Sequence, residues 1–462
     1  MPRLPRTTDR LTLELQTYGA TSSRVLASKL GVSGPTLSRM IAEVGPQIER
    51  IGAARSTRYA LRRTIAHFGG EWPIYRVAPN GRIFSWGTLR ALHGGFRFLP
   101  AIVDHPWGER LRVNDGLSGG LPFFLHDARP QGFLGRAIAR RLAGGLGLPP
   151  NLQMWNDDHN ISYFLTHGDD LPGDIIVGDA AMERAGQLLR SPATTAIAAG
   201  ERAEIYPRCV EAVQRGEVIG SSAGGEQPKF LATVQSATAG SRSLLVKFSP
   251  TGTSPAATRW SDLLACEHIA SEVLRARGIQ SAVTSLLDAG GRRFLEVERF
   301  DRTVEQGRRG LVSLGVLEDE YLSHATNDWA DASVLLLQSG LVEEGVARAL
   351  RWVWCFGDLI ANSDMHRANA SFWFPDKATL ELAPVYDMLP MQYAPNAQGE
   401  LPHRDYSPRA PRASVTDVWI QAAAAARDFW VRISTSSLVS EPFRAIAAKN
   451  QSMLSEQVDR QG

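Results

Sequence analysis

Asp364 and Asn369, five residues apart, frame the polar run Asn362-Ser363-Asp364-Met365-His366-Arg367-Ala368-Asn369. Phosphoryl transfer needs a carboxylate beside the acceptor hydroxyl and oxygen ligands around Mg²⁺, and an Asp-x-x-x-x-Asn loop offers both from one turn. Asp387 follows 18 residues after Asn369 in Val385-Tyr386-Asp387-Met388. It can add a metal-binding carboxylate from the other side of a cleft. Taken alone the spacing is weak, because an Asp-rich loop with ordinary helix-capping duties shows the same pattern.

Upstream residues point the same way. Ser243-Leu244-Leu245-Val246-Lys247-Phe248 is an apolar strand carrying one lysine, and Glu267 lies 20 residues later in a helical run. A strand lysine held by a helix glutamate is how kinase-like sites fix an ammonium on the α- and β-phosphates. A surface Lys and a surface Glu are the bland alternative. Before that strand, Ser221-Ser222-Ala223-Gly224-Gly225-Glu226-Gln227-Pro228-Lys229-Phe230 is a small-residue loop. Glycines such as Gly224 and Gly225 let backbone N–H groups approach a phosphate, although a plain surface turn has the same composition. Phe294-Leu295-Glu296-Val297-Glu298-Arg299-Phe300-Asp301-Arg302 reads as a strand running into a polar linker, able to offer backbone groups and the Phe300 ring to an adenine.

Positioning these residues takes a small β-rich half, expected from about Ser221, followed by a helical half. Helices are expected over Asp262–Arg277 and Ala349–Ile360, the second delivering the Asp364 loop. A hydrophobic content of 44% with 21% charged residues excludes global disorder, and 462 residues exceed what one core usually serves. Three scattered cysteines without CxxC spacing support neither a disulfide framework nor a zinc site and read as buried thiols in a reducing compartment. No stretch of about 18 apolar residues occurs, so a cytoplasmic protein that leaves membranes alone is expected.

The net charge of +2 is unevenly spread: residues 1–63 hold 11 Lys+Arg against 4 Asp+Glu, a local balance of +7. Three helices are expected there, over Thr7–Tyr18, Ser22–Leu30 and Ser33–Val44, with Gly31-Val32-Ser33 as the short turn. Two short strands around the basic tip Gly52-Ala53-Ala54-Arg55-Ser56 complete a winged helix-turn-helix pattern. Thr36, Ser38 and Arg39 can reach base edges or phosphates of duplex DNA, with Arg55 and Arg58 tracking the backbone from the wing. A helical dimerisation module is the competing reading, and a homodimer fits it.

Together these segments resemble the HipA family of serine/threonine kinases, the toxin components of bacterial toxin–antitoxin systems. The resemblance spans roughly 72–400 and rests on Pro122-Phe123-Phe124 with Pro130-Gln131-Gly132, the Ser-Ala-Gly-Gly-x-Gln-Pro-Lys loop, Lys247-Phe248, Glu298-Arg299-Phe300-Asp301-Arg302, the Asn362–Asn369 run and Tyr386-Asp387. It implies an α+β, bilobal protein-kinase-like fold, distantly related to phosphoinositide kinases, with ATP and Mg²⁺ between the lobes. By position it implies Asp364 as catalytic aspartate, His366 as orienting the loop, Asn369 and Asp387 as metal ligands, Lys247 as the phosphate-contacting lysine, and Glu298 and Phe300 at the adenine. It also implies autophosphorylation of Ser221 or Ser222, and protein substrates such as translation factors or aminoacyl-tRNA synthetases. The chain departs from the family pattern at Glu226, which lengthens the loop, and in its N-terminal helices, which occur fused in a long subgroup. The expected organisation is a DNA-binding domain over 1–66, an N-terminal subdomain over 72–180, a kinase N-lobe over 200–305 and a C-lobe over 306–462. Two rival readings remain: a transcriptional regulator whose kinase-like body senses nucleotide without turnover, and a kinase with a small-molecule acceptor.

Overall fold

The computed structural model describes residues 7–101, 106–190, 196–215, 227–236, 240–303, 305, 307–322, 326 and 328–461. The chain begins with α1 (Thr7–Tyr18), β1 (Thr21–Ser22), α2 (Ser23–Leu30), α3 (Gly34–Val44), β2 (Ile48–Ile51) and β3 (Arg58–Leu61). Ser22 caps α2 by accepting from Val25 N, and Gly31 ends it in the left-handed conformation that glycine adopts without Cβ strain. Ser33 then caps α3 two residues later, which fixes the tight turn between the helices. Leu11, Leu15, Leu26, Leu30, Leu37, Met40 and Leu61 form this unit's own core, and its strands pair in the order β1-β3-β2.

A second region carries a five-stranded sheet, ordered β7-β6-β5-β4-β8, from β4 (Glu71–Val77), β5 (Ile83–Leu92), β6 (Gly95–Pro100), β7 (Leu117–Ser118) and β8 (Ile175–Val177). Its helices are α4 (Gly108–Leu111), α5 (Gly132–Leu142), α6 (Asp157–His167) and α7 (Asp179–Arg190). The N-terminal unit is welded to it. Glu49 is buried and accepts from Arg97 at 2.6 Å, Arg62 at 2.9 Å and Arg90 at 3.0 Å, while Arg63 meets Asp158 at 2.6 Å. Burial alone would raise the Glu49 pKa, but hydrogen bonds from Arg97 and Arg90 hold the carboxyl below its ordinary value of 4.5. The stabilisation is therefore complete above 4.5 and is lost as the pH falls from there toward the depressed value. Glu49→Gln should loosen the docked unit by about 2–3 kcal/mol, since three partly exposed arginines lose their shared buried acceptor. Hydrogen exchange of the α1–α3 amides, unchanged by Glu49→Gln at neutral pH, would contradict this.

The third region is a sheet ordered β12-β13-β11-β10-β9. Its strands are β9 (Ile197–Ala198), β10 (Lys229–Ser236), β11 (Gly240–Phe248), β12 (Thr284–Ala289) and β13 (Arg292–Glu298), with helices α8 (Arg202–Gln214) and α9 (Pro255–Ala276). One face of this sheet packs on α8 through Tyr206, Val210, Phe230, Val246 and Phe248. α9 lies on the other and starts seven residues before the expected Asp262, because Ser254 caps it and Pro255 occupies its first turn. The last region is mostly helical: β14 (Leu311–Ser313), α10 (Leu314–Tyr321), α11 (Trp329–Gln338), α12 (Glu344–Leu359), β15 (Ser371–Trp373), β16 (Glu381–Leu382), α13 (Thr416–Thr435) and α14 (Glu441–Asp459). The fold is thus α+β and bilobal in its second half. Among the described residues no helix is long and apolar enough to cross a membrane. Cys266 and Cys355 are buried and Cys209 is half-buried, all as free thiols.

Candidate active site

On β11, Leu244, Val246 and Phe248 enter the core against α8, so strand alternation turns Lys247 to the opposite face. α9 brings Glu267 to that face, and the Lys247 ammonium donates to its carboxylate oxygens at 2.6 and 2.8 Å. The same ammonium also bonds the Asp387 carboxylate. β10 and β11 pair antiparallel with Lys229 directly across from Lys247, and Lys229 is only 2% exposed. Two lysines and two carboxylates therefore balance in one buried cluster. Burial opposes the Lys247 charge, yet Asp387 and Glu267 raise its pKa above the usual lysine range. Burial likewise opposes ionisation of Asp387, but Lys247 and then Lys229 hold it below the usual carboxylate range.

α12 delivers the polar loop. The helix ends at Leu359, and Ala361 follows at φ +61°. Asp387 itself sits at φ +55°, a conformation that costs a non-glycine residue free energy and persists only where its surroundings impose it. Asn362 supplies the restraint. It is buried, accepts from Asp364 N at 3.1 Å and donates to the Asp387 carbonyl at 3.1 Å, tying the two carboxylate-bearing segments together. Asn369 donates to the Asp364 carbonyl at 2.8 Å. Tyr386 donates to the Ala368 carbonyl at 2.7 Å and closes the loop from below. Gly357 on α12 allows the loop to pack this closely, since a Cβ there would stand 2.3 Å from Met365 Sδ. Asp387 is also fixed to the other lobe, because Val385 N donates to Gln280 O and Ala282 N to Val385 O, each at 2.9 Å.

The structure brings Lys247, Glu267 and Asp387 into direct contact and ties Asp364 and Asn369 to them through Asn362. His366 is exposed and takes the Ala368 N–H on Nδ1, so it caps the turn that presents Asn369. Glu298 accepts from Arg242 at 2.8 Å. The Phe300 ring is not a free adenine platform, because it packs against Tyr386 and edge-on to Trp373. Phe300 borders a cavity of about 420 Å³ together with Glu298, Ala282 and Val283. Ser221, Ser222, Gly224 and Gly225 lie outside the described residues. Sequence reasoning gave no role to Lys229, whose signal was its place in the Gln-Pro-Lys motif, or to Asn362, whose signal was its position two residues before Asp364. Asn369 and Asp387 offer oxygen donors of the type Mg²⁺ accepts when phosphates complete its shell. The Asn369 amide nitrogen is used internally, which leaves its oxygen as the available donor.

At the N-terminus, Ser38 and Arg39 are exposed on α3, while the Thr36 hydroxyl is engaged by Ser33 Oγ at 2.9 Å and by Arg39. Arg58 departs from the expectation for a DNA-tracking wing. Its guanidinium bonds the Asn114 carbonyl at 3.0 Å and Asp115 at 3.1 Å, which spends its charge on the second region. The Arg55 side chain lies outside the described residues.

Comparison with known proteins places these regions. Residues 68–186 match the middle domain of YjjJ-like toxins, and residues 221–453 match the HipA-like C-terminal domain. The chain is 34% identical to Toxin YjjJ of Escherichia coli (strain K12) over 437 residues, which cover 94% of this chain and 95% of that protein. Among solved structures it aligns with a complex of HipA, HipB and operator DNA from Shewanella oneidensis MR-1, at a TM-score of 0.47 and 16% identity over 84% of this chain and 97% of that one. It also aligns with the proinflammatory kinase CtkA of Helicobacter pylori, at a TM-score of 0.35 and 14% identity over 52% of this chain and 90% of that one.

Proposed function

From the premise that this chain belongs to the HipA-like toxin family, we propose that it is an ATP- and Mg²⁺-dependent kinase acting on serine or threonine hydroxyls. The observation that carries this reading is the buried Lys247 ammonium, bonded at once to Glu267 on α9 and to Asp387 across the cleft. A structural ion pair has no need of a third partner presented by a left-handed residue. In this reading Lys247 holds the α- and β-phosphates while Glu267 keeps its ammonium charged and aimed. Asp364, exposed at the mouth of the loop, accepts the proton of the attacking hydroxyl. Asn369 and Asp387 hold the metal, which when bound neutralises phosphate charge. Glu298 and Phe300 serve the adenine through their backbone. The serine of the 221–226 loop, Ser221 or Ser222, is the autophosphorylation site, where about two negative charges would repel the nucleotide phosphates.

Incubating the full chain with γ-labelled ATP and Mg²⁺ tests this reading. Label on a protein hydroxyl supports it, whereas label on a small molecule favours the rival acceptor. ATP binding without any transfer favours the sensor.

We further propose that the N-terminal unit binds duplex DNA through α3. The support is local: Arg39 and Ser38 are exposed on α3, and Arg50 is exposed on the neighbouring β2. Affinity should fall steeply with salt, and Arg39→Ala should flatten the log–log salt slope by about one unit if it meets one phosphate. Arg58→Ala should leave that slope unchanged, because its charge is already paired with Asp115. A slope unaltered by Arg39→Ala, in titrations of the full chain on its own promoter DNA, would remove α3 from the interface.

A further inference from the structure

A cavity of about 780 Å³ lies between the helices of the second region and the β10–β11 end of the third, within the roughly 300–1,000 Å³ typical of small-molecule sites. None of Lys247, Glu267, Asp364, Asn369 and Asp387 lines it. One part of its wall is apolar, with Ile138 and Leu142 from α5, Leu188 and Leu189 from α7, and Leu231 from β10. Another part is charged and carries Arg299, Arg302, Arg308, Asp169 and Asp170.

Arg299 and Arg302 each bond both Asp170 and Asp301, at 2.7–3.1 Å, so two guanidinium groups meet two carboxylates. Asp169 pairs with Arg184 at 3.1 Å. Arg308 is outside these pairings and is only 2% exposed. It gives one N–H to the Asp169 backbone carbonyl, while its Nε and Nη1 find no acceptor among the described residues. Asp174 also carries an unpartnered oxygen, but its other oxygen is taken by Arg76 and it makes no bond to Arg308. Burial, and after it the Arg302 charge, lower the Arg308 pKa to about 9 against the opposing pull of the nearby but unbonded Asp170 and Asp301, so the side chain stays cationic at neutral pH. Burying an unpaired guanidinium is costly, and an apolar residue of similar volume would generally serve the fold as well or better.

We propose that this cavity binds a small organic anion, with a carboxylate or phosphate head drawn to Arg308 and an apolar body lying against Ile138, Leu142, Leu188 and Leu189. The site is independent of the kinase reading. It needs no turnover, and its wall is built from the second region, the linker that leaves β13 and a stretch of β10 and β11 that carries none of Lys247, Glu267, Asp364, Asn369 and Asp387.

Isothermal titration of the full chain with hexanoate, hexyl phosphate and the neutral hexanamide tests the proposal and tells the two head groups apart. The expected result is one-to-one binding of at least one anion, with hexanamide bound at least ~10-fold more weakly. Arg308→Met should weaken that anion roughly 10–100-fold, the range for losing hydrogen bonds to a charged group, while leaving the apo melting temperature unchanged or higher. Leu142→Trp, which fills the apolar side, should weaken it without touching the charge. Saturating ATP with Mg²⁺ should not displace it. The proposal is overturned if no anion binds, if the amide binds equally well, or if ATP displaces the anion one for one. It is equally overturned if Arg308→Met sharply lowers the melting temperature, which would make Arg308 a structural counter-charge for Asp174.

Discussion

Asp364→Asn should cut phosphate transfer from ATP by at least ~10²-fold, the lower range for losing a positioned base, while leaving ATP affinity and the melting transition near wild type. A hundredfold loss corresponds to about 2.7 kcal/mol of transition-state stabilisation. The separation between turnover and stability follows from where the residue sits. Asp364 is exposed, and its loop is held by its backbone: the N–H bonds Asn362 and the carbonyl accepts from Asn369. The substitution keeps those bonds and removes only the carboxylate. Undiminished labelling by the purified variant would move the chemistry to another residue, and a large drop in melting temperature would make Asp364 structural.

Lys247→Met should behave in the opposite way, abolishing turnover and destabilising the fold together. The variant leaves Glu267 and Asp387 facing each other with Lys229 as the nearest remaining lysine among the described residues. Removing one partner of a buried charge cluster typically costs about 3–5 kcal/mol. Part of that loss should return in Lys247→Met/Glu267→Gln, because the second substitution removes the stranded carboxylate, and the double-mutant cycle reads the coupling directly. Urea unfolding of the three variants, followed by tryptophan fluorescence, checks this. Equal stability of Lys247→Met and wild type would mean that the cluster does not hold the lobes.

Local patterns along the chain were enough for much of this molecule. Ser22, Gly31 and Ser33 mark the second and third helices to within a residue, because caps and left-handed glycines act through bonds only a few residues long. The apolar run Ser243–Phe248 was enough to announce a strand carrying one lysine, and the apolar run before Asp358 announced α12, although the helix begins at Glu344, five residues before the expected Ala349. The site residue types were legible for the same reason, since each motif is short. Other features depended on contacts between distant segments. Arg58 reads as a free wing arginine until Asp115, 57 residues away, takes its charge. Phe300 reads as an adenine platform until Tyr386 and Trp373 close over its ring. Lys229 gains its place only when β10 pairs with β11 in register, and Asn362 gains its role only when Asp387 returns from the far side of β15 and β16. Chain order does not encode which charge neutralises which: in a buried cluster that is decided by the elements that pack together and exclude water, and there Arg308, unlike Arg299 and Arg302, has no direct carboxylate bond among the described residues.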